Sequence, residues 1–423
     1  MDLTRAVAPF RHRQFALLWS GAFVSNIGTW MEAVAVGILV QQTTGQAAWT
    51  GLVAAANFVP AALVGPFGGA LADRWPRRRL LLATTSVQTV LAAILTFLAA
   101  TGTPSPGVVA GIVFLAGCAQ SLGFPAFNAI LPDLVPKDEL VGAVALSSAQ
   151  WNLGRVVGPA LAGIVIAAGG YSWAFAVNTA SFLAVIAVLL VLRLPDPAPH
   201  DGSSILGSIR QGMRFVRNEP GLRVVVGYMT INSLLAAPFI ALIPTMALEV
   251  LDGGPGATSA LVTAQGIGAV TMALSLGILV ARLGSRRVLL GVLYLLPVSL
   301  ILYASSPTLA FAVGALLVVG FLYLGALSSF TSIAQLRSPT AVRGRVMSVL
   351  MVLLGSVYPL GAVIQGALAD AWGLRIVTAG SAALMLVMLV IARIARPAFS
   401  DALDTPLHGE ADPVPMPPGP ELS

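Results

Sequence analysis

Gly69-Ala-Leu-Ala-Asp73-Arg74-Trp75-Pro76-Arg77-Arg78-Arg79-Leu80-Leu-Leu82 is the stretch that decides the fold. An apolar run from Trp49 ends at Ala72, and a second begins at Leu80. Between them lies a short turn with one acid, Asp73, and four arginines. Proline fixes φ and donates no N–H, so a helix entering this turn stops before Pro76. Each flanking run exceeds the roughly 20 residues that cross a ~30 Å hydrocarbon core at about 1.5 Å per residue.

The rest of the chain repeats that pattern. Charged residues are 9% of the 423, against about 25% in soluble proteins, and 57% are hydrophobic. So few charges cannot cover a soluble surface. Twelve apolar spans follow from hydropathy: Phe15–Val40, Trp49–Ala72, Leu80–Ala100, Val108–Leu131, Leu140–Ala167 and Ala174–Leu194, then Leu222–Leu248, Ser259–Leu283, Val288–Ser305, Leu309–Leu336, Val346–Ala369 and Leu374–Ile394. In lipid each must be a helix, because no water is there to satisfy the backbone. The first span holds Asn26 and Glu32 and lacks a small-residue cleavage site followed by a polar domain, so it does not read as a signal peptide.

Charge sets the orientation. If both termini are cytoplasmic, all 23 basic residues except Arg155 and Arg375 fall in inner segments, a positive-inside pattern. The basic residues are spread over many loops rather than gathered on one face, which argues against nucleic acid as a partner and for anionic lipid. The expected organisation is a cytoplasmic N-terminus (1–14), a six-helix bundle (15–194), a cytoplasmic linker with an amphipathic helix (195–221), a second six-helix bundle (222–396) and a disordered tail (397–423). The halves are repeats. A shift of 208 pairs Gly69, Leu71, Arg74, Arg78 and Arg79 with Gly277, Leu279, Arg282, Arg286 and Arg287, while Asp73 meets Ala281.

The opening stretch closely resembles the signature between the second and third helices of the major facilitator superfamily of transporters, G-x-L-A-D-R-x-G-R-[RK]-x-x-L. Gly69, Leu71, Ala72, Asp73, Arg74, Arg77 and Arg78 match, and Pro76 stands where the family has glycine. Phe10-Arg-His-Arg-Gln-Phe-Ala-Leu-Leu-Trp19 and Arg343-Gly-Arg-Val-Met-Ser348 resemble the branch that includes enterobactin exporters and macrolide-type efflux pumps. The resemblance implies two pseudo-symmetric six-helix bundles in the inner membrane working by alternating access. It also implies that Asp73 meets the start of the eleventh helix when the cytoplasmic side is closed. A carboxylate suits a helix N-terminus because unpaired N–H groups and the positive dipole end lie there. The bland alternative is that the turn merely caps the third helix.

Gly154-Arg-Val-Val-Gly158-Pro159-Ala-Leu-Ala-Gly163 resembles the antiporter signature G-x-x-x-G-P-x-x-G-G, with Ala162 in place of one glycine. Small residues every fourth position let helices approach closely. Away from the ends of the spans only Glu32 and Arg155 are fully charged types. Burying either costs several kcal/mol unless it is paired or solvated. Glu32 lies about 25 Å along its span and Arg155 about 22 Å along its own, so matched depth predicts that they meet. The functional expectation is proton coupling through Glu32 and Arg155; the bland one is a fixed ion pair.

Amides and aromatics supply the cavity expectation: Asn26, Asn128, Asn152, Asn232, Gln265 and Gln365, walled by Trp30, Phe127, Trp151, Phe239 and Tyr358. Any one amide taken alone reads as interhelical packing. As a set with sparse charge they suit a large, mostly apolar small molecule. Asp370, in Gly366-Ala-Leu-Ala-Asp370-Ala-Trp372, echoes the opening stretch and reads as a loop acid. With one cysteine, Cys118, and three scattered histidines, the sequence implies no disulfide, metal site or cofactor. The expected activity is proton-driven export of a hydrophobic or amphipathic small molecule by a monomer, not catalysis. Nutrient uptake and a non-transporting membrane sensor are the alternatives.

Overall fold

A computed structural model describes residues 7–192, 205–395 and Leu403, and among them every regular element is helical. After a 3-10 turn at Ala8–Arg11 come α1 (Arg13–Thr44), α2 (Ala47–Leu63), α3 (Gly65–Arg74), α4 (Arg77–Thr101), α5 (Pro106–Leu134) and α6 (Leu140–Val191). Then follow α7 (Ile205–Asn218), α8 (Pro220–Ile231), an irregular stretch to Val250, α9 (Pro255–Leu283), α10 (Ser285–Ala304), α11 (Leu309–Leu336), α12 (Thr340–Trp372) and α13 (Leu374–Ala395). The expected tail, the start of the linker and residues 1–6 lie outside the described residues.

The opening stretch folds as its chemistry requires. α3 ends at Arg74, Trp75 is extended, as a residue before proline must be, and Pro76 leads directly into α4. Ten described segments are long and apolar enough to cross a membrane. This count differs from twelve at two identifiable places. The second expected span is divided at Val64 into α2 and α3, because Pro66 at the start of α3 has no N–H to continue the ladder. The fifth and sixth expected spans form one 52-residue element, α6, interrupted at Gly170 with φ 76° and ψ −172°. Straight, α6 would be about 78 Å long, more than twice the hydrocarbon core. It turns back instead. Gly154 and Asn178 would be about 36 Å apart in a straight helix, yet both pack against the same turn of α1: Gly154 meets Asn26 and Asn178 meets Gly28.

The seventh expected span is also broken. α8 passes into a π segment at Asn232–Ala236, a 3-10 turn at Ala237–Ile240, a short helix at Ile243–Thr245 and a second π segment at Met246–Val250. Pro238 and Pro244 each remove a backbone donor, which forces these changes of hydrogen-bond register. Inside this stretch the buried side chains of Asn232 and Ser233 have no hydrogen-bond partner.

Buried apolar residues gather in three clusters. Two are built from residues between Phe15 and Leu192, and the third, apart from Ala47, from residues between Val216 and Leu389. α2 packs antiparallel on α12: Gly51 meets Ala362, Gly355 meets Ala62, and Gly366 meets Ala47. α6 packs on α9 where Gly163 meets Ser259 and Gly266 meets the Arg155 carbonyl. The amphipathic α7 is docked against the start of α12, with Gly212 at the Arg345 carbonyl and Val216 only 3% exposed.

Candidate functional site

The phase of α1 distributes the charged pair. Residues two apart on a helix point about 200° apart, whereas residues four apart share a face. Gly28 and Glu32 therefore face the second limb of α6, where Glu32 Oε2 accepts from Asn178 Nδ2 at 2.7 Å. Asn178 Oδ1 in turn accepts from Ser181 Oγ at 3.0 Å. Asn26 and Trp30 face the first limb of α6. A Cβ at Gly154 would sit 2.9 Å from the Asn26 Cβ, and one at Gly158 2.7 Å from the Ile27 carbonyl and the Trp30 Cβ. Arg155 stands over the Trp30 ring, 5.7 Å from its centroid.

The expected meeting of Glu32 with Arg155 is thus corrected: no ion pair or hydrogen bond joins them among the described residues. Their depths match, but depth ignores helical phase. Of the antiporter-like residues, Gly154 and Gly158 seat α6 on α1, Pro159 lies buried within α6, and Gly163 meets α9.

Around Arg155 an aromatic series crosses from one set of helices to the other. Trp151 packs edge-on to Trp30 at 5.7 Å. Tyr323 of α11 lies within electrostatic reach of the guanidinium and packs edge-on to Phe239 at 5.6 Å. Tyr358 of α12 meets Phe58 of α2 at 4.9 Å. Arg155 Nε, Trp30 Nε1 and, on α9, Gln265 Nε2 are buried without hydrogen-bond partners among the described residues.

The remaining expected cavity residues divide. Asn232 is fully buried with both amide atoms unpaired. Asn128 and Asn152 donate to carbonyls of their own helices, Phe124 at 3.0 Å and Ser148 at 2.8 Å. Gln365 donates to the Leu234 and Leu235 carbonyls at 2.9 and 3.1 Å, stitching α12 to the π segment. Phe127 packs with the cluster around Phe15 and Ile130, away from the aromatic series. Tyr323 and Phe58 were not among the residues named from the sequence; nothing separates them there from other span aromatics.

At the end of the bundle that bears the Trp75–Pro76 turn, Arg77 donates to Asp133 at 2.6 Å and to the Ala129 carbonyl at 2.9 Å. Arg78 donates to the Leu189 and Leu190 carbonyls, both at 2.6 Å. These arginines tie α4 to the ends of α5 and α6. Gly69 has open space around it, Arg74 is exposed, and the Asp73 side chain lies outside what is described.

The opposite end holds the hydrogen bonds that cross between the two sets of helices. Asp370 is a residue of α12 rather than a loop acid, and its carboxylate accepts from the Ala47 N–H at 2.6 Å and the Ala48 N–H at 3.0 Å. It thereby caps the first turn of α2. Gln41 of α1 donates to Glu249 and accepts from Thr245 Oγ1 at 2.6 Å. Glu249, beyond the end of the seventh span, is held above the usual carboxylate range by partial burial, with the Gln41 amide lowering it and neighbouring Asp370 raising it.

This is the architecture of a polytopic membrane transporter: helices on both sides of a partly exposed aromatic and polar centre, clasped at one end. Residues 4–416 match the transmembrane secretion effector family, and the chain belongs to that family of the major facilitator superfamily. It is 29% identical over 391 residues to the multidrug efflux pump Tap of Mycolicibacterium fortuitum, covering 90% of this chain and 94% of that one. It is 27% identical over 365 residues to the enterobactin exporter EntS of Citrobacter koseri, covering 79% and 80%. A POT family transporter solved with 5-aminolevulinic acid shares the fold, with a TM-score of 0.74 at 12% identity over 92% of this chain and 96% of that one. These relatives are transporters rather than enzymes.

Proposed function

We propose that this protein exports a hydrophobic or amphipathic small molecule by proton-coupled alternating access. It works as a monomer in the inner membrane with both termini in the cytoplasm. The family and its efflux relatives support the export direction. The positive-inside charge pattern supports placing the Trp75–Pro76 turn in the cytoplasm. The two sets of helices act as two six-helix domains, 15–194 and 222–396, rocking about the aromatic centre. In this reading the clasp at Asp370, Gln41 and Glu249 closes the outer side and belongs to an inward-facing state. Asp73 and Arg74, with Gly69, form the matching cytoplasmic latch when the domains rock the other way.

The observation that carries the coupling is the environment of Glu32. An intramembrane acid is costly and marks proton or ion pathways. This one is held by a neutral amide, not by Arg155, so its proton can leave without breaking a buried ion pair. The test is flux in reconstituted vesicles under an imposed pH gradient, with the neutral fluorophore dansylglycinamide as the probe. Wild type should accumulate probe against its gradient. Glu32→Gln should lose that uphill movement while still exchanging probe down a gradient. Uphill transport by Glu32→Gln at the wild-type rate would remove Glu32 from the mechanism.

A further inference from the structure

We infer that Arg155 is the anchor for an anionic group on the cargo, so that the site takes aromatic or apolar molecules bearing a carboxylate. This rests on the transport reading above and specifies its substrate class.

The argument begins with an imbalance. Arg155 is an intramembrane cation, and no described carboxylate pairs with it. Its buried Nε has no hydrogen-bond partner. The one acid at comparable depth, Glu32, points to the opposite face of α1 and is engaged by Asn178. Arg155 is half-buried, and a cation at membrane depth without a counter-charge is costly even when part of it reaches water. The Trp30 face at 5.7 Å offsets only part of that.

Position supplies the second half. Arg155 is on α6 where that helix abuts α9 at Gly266, and Tyr323 on α11 lies within electrostatic reach of it. It therefore sits where the two sets of helices meet, over Trp30, with Trp151 packed on Trp30 and Phe239 packed on Tyr323. An arginine fork matches a carboxylate bidentately, and the rings around it offer a surface for a flat apolar body. A cargo carrying both parts supplies the missing counter-charge and buries its rings against the aromatic walls. Among the described residues the Trp30 face is the contact found for its charge, and no carboxylate pairs with it. Gln265 Nε2, unpaired and buried beside this junction, offers a further donor to an anionic oxygen.

The test uses two probes of the same size, dansylglycine and dansylglycinamide, which differ by one negative charge. Binding to the full-length protein in nanodiscs is read by energy transfer from tryptophan to dansyl. The acid should bind wild type at least about tenfold more tightly than the amide, a difference of about 1.4 kcal/mol. Arg155→Gln and Arg155→Met should bring that ratio close to one, and Arg155→Lys should keep part of it. Thermal unfolding of each variant confirms that it is folded, and amide binding by Arg155→Gln provides an internal check on the site. An acid-to-amide ratio near one in wild type, a ratio that survives in Arg155→Gln, or no binding of either probe would overturn the anchor. Failure here is separable from failure of export. A protein that prefers the acid but moves no probe uphill sinks proton-driven export and leaves the anchor standing. One that pumps dansylglycinamide uphill yet binds both dansyl probes equally sinks the anchor alone.

Discussion

Removing the Asp370 carboxylate should shift the protein away from the state with this end closed. The structure sets the size of the effect. Asp370 accepts from two N–H groups at the start of α2, at 2.6 and 3.0 Å, and does so from a helix of the other half. A side-chain cap contributes about 0.5–2 kcal/mol. An anion at an exposed helix N-terminus adds about 0.3–1 kcal/mol. Asp370 is exposed, which favours the lower part of each range. Asp370→Ala should therefore cost the closed state about 1–2 kcal/mol, a factor of roughly 5–30 in its population relative to the open one. Asp370→Asn keeps an acceptor oxygen and loses the charge, so it should fall between.

The assay is the distance between spin labels at Thr101 and Ser305, exposed sites at this end of α4 and just after α10. Cys118, the sole native cysteine, is first replaced by serine. Asp370→Ala should enrich the longer distances, and Asp370→Asn should do so less. The reasoning fails if Asp370→Ala leaves the distribution unchanged, or if Asp370→Asn shifts it as far as alanine does. The second result would make charge the whole of the effect and capping none of it.

Three further outcomes follow from the same geometry. Gly158→Leu should prevent α1 and α6 from seating, because even a Cβ there lies 2.7 Å from the Ile27 carbonyl; the loss should be about 1–3 kcal/mol or more, read as a lower thermal midpoint. Gln365→Leu removes both donors to the Leu234 and Leu235 carbonyls, and leaving buried carbonyls unpaired should cost about 1–3 kcal/mol in the same measurement. Glu249 is held above its ordinary value in the closed state, so its protonated form favours that state. Closure should be fullest near or below the ordinary carboxylate value of about 4.3 and should weaken as pH rises above it. Glu249→Gln should flatten that dependence in the Thr101–Ser305 distances.

The sequence was most legible where one residue type forces one outcome. Pro76 fixed the turn after α3, and the length of the apolar runs required helices throughout. It was least legible where the outcome depends on which way a side chain faces. Glu32 and Arg155 have matching depths, yet a two-residue offset between Glu32 and Trp30 puts the acid on one limb of α6 and the arginine against the other. That could have been found by assigning the faces of α1 before matching depths. Gln365 and Gln265 look alike in sequence, but one amide is consumed by the carbonyls of a π segment and the other is left unpaired. The π segment itself follows from Pro238 and Pro244 only once neighbouring helices decide how the freed backbone groups are satisfied.

The two Gly-Ala-Leu-Ala-Asp stretches give the transport proposal its internal logic. Gly69–Asp73 ends the helix that continues from α2, and Gly366–Asp370 closes α12. Because α2 and α12 run antiparallel, the two stretches fall toward opposite ends of the bundle, and Asp370 lies beside the start of α2. At one end the acid is seen on the Ala47 and Ala48 N–H groups. If the same chemistry operates at the other, Asp73 seats on the first turn of α12 near Thr340. Rocking that closes one end must open the other, so the two caps are made alternately. The isomerisation then exchanges one cap for another of similar strength, which keeps the two states within a few kcal/mol of each other. A double variant, Asp73→Ala with Asp370→Ala, should therefore return the Thr101–Ser305 distances toward wild type, whereas either single variant biases them in opposite directions. Additive shifts in one direction would show that the two acids do not act as alternating latches.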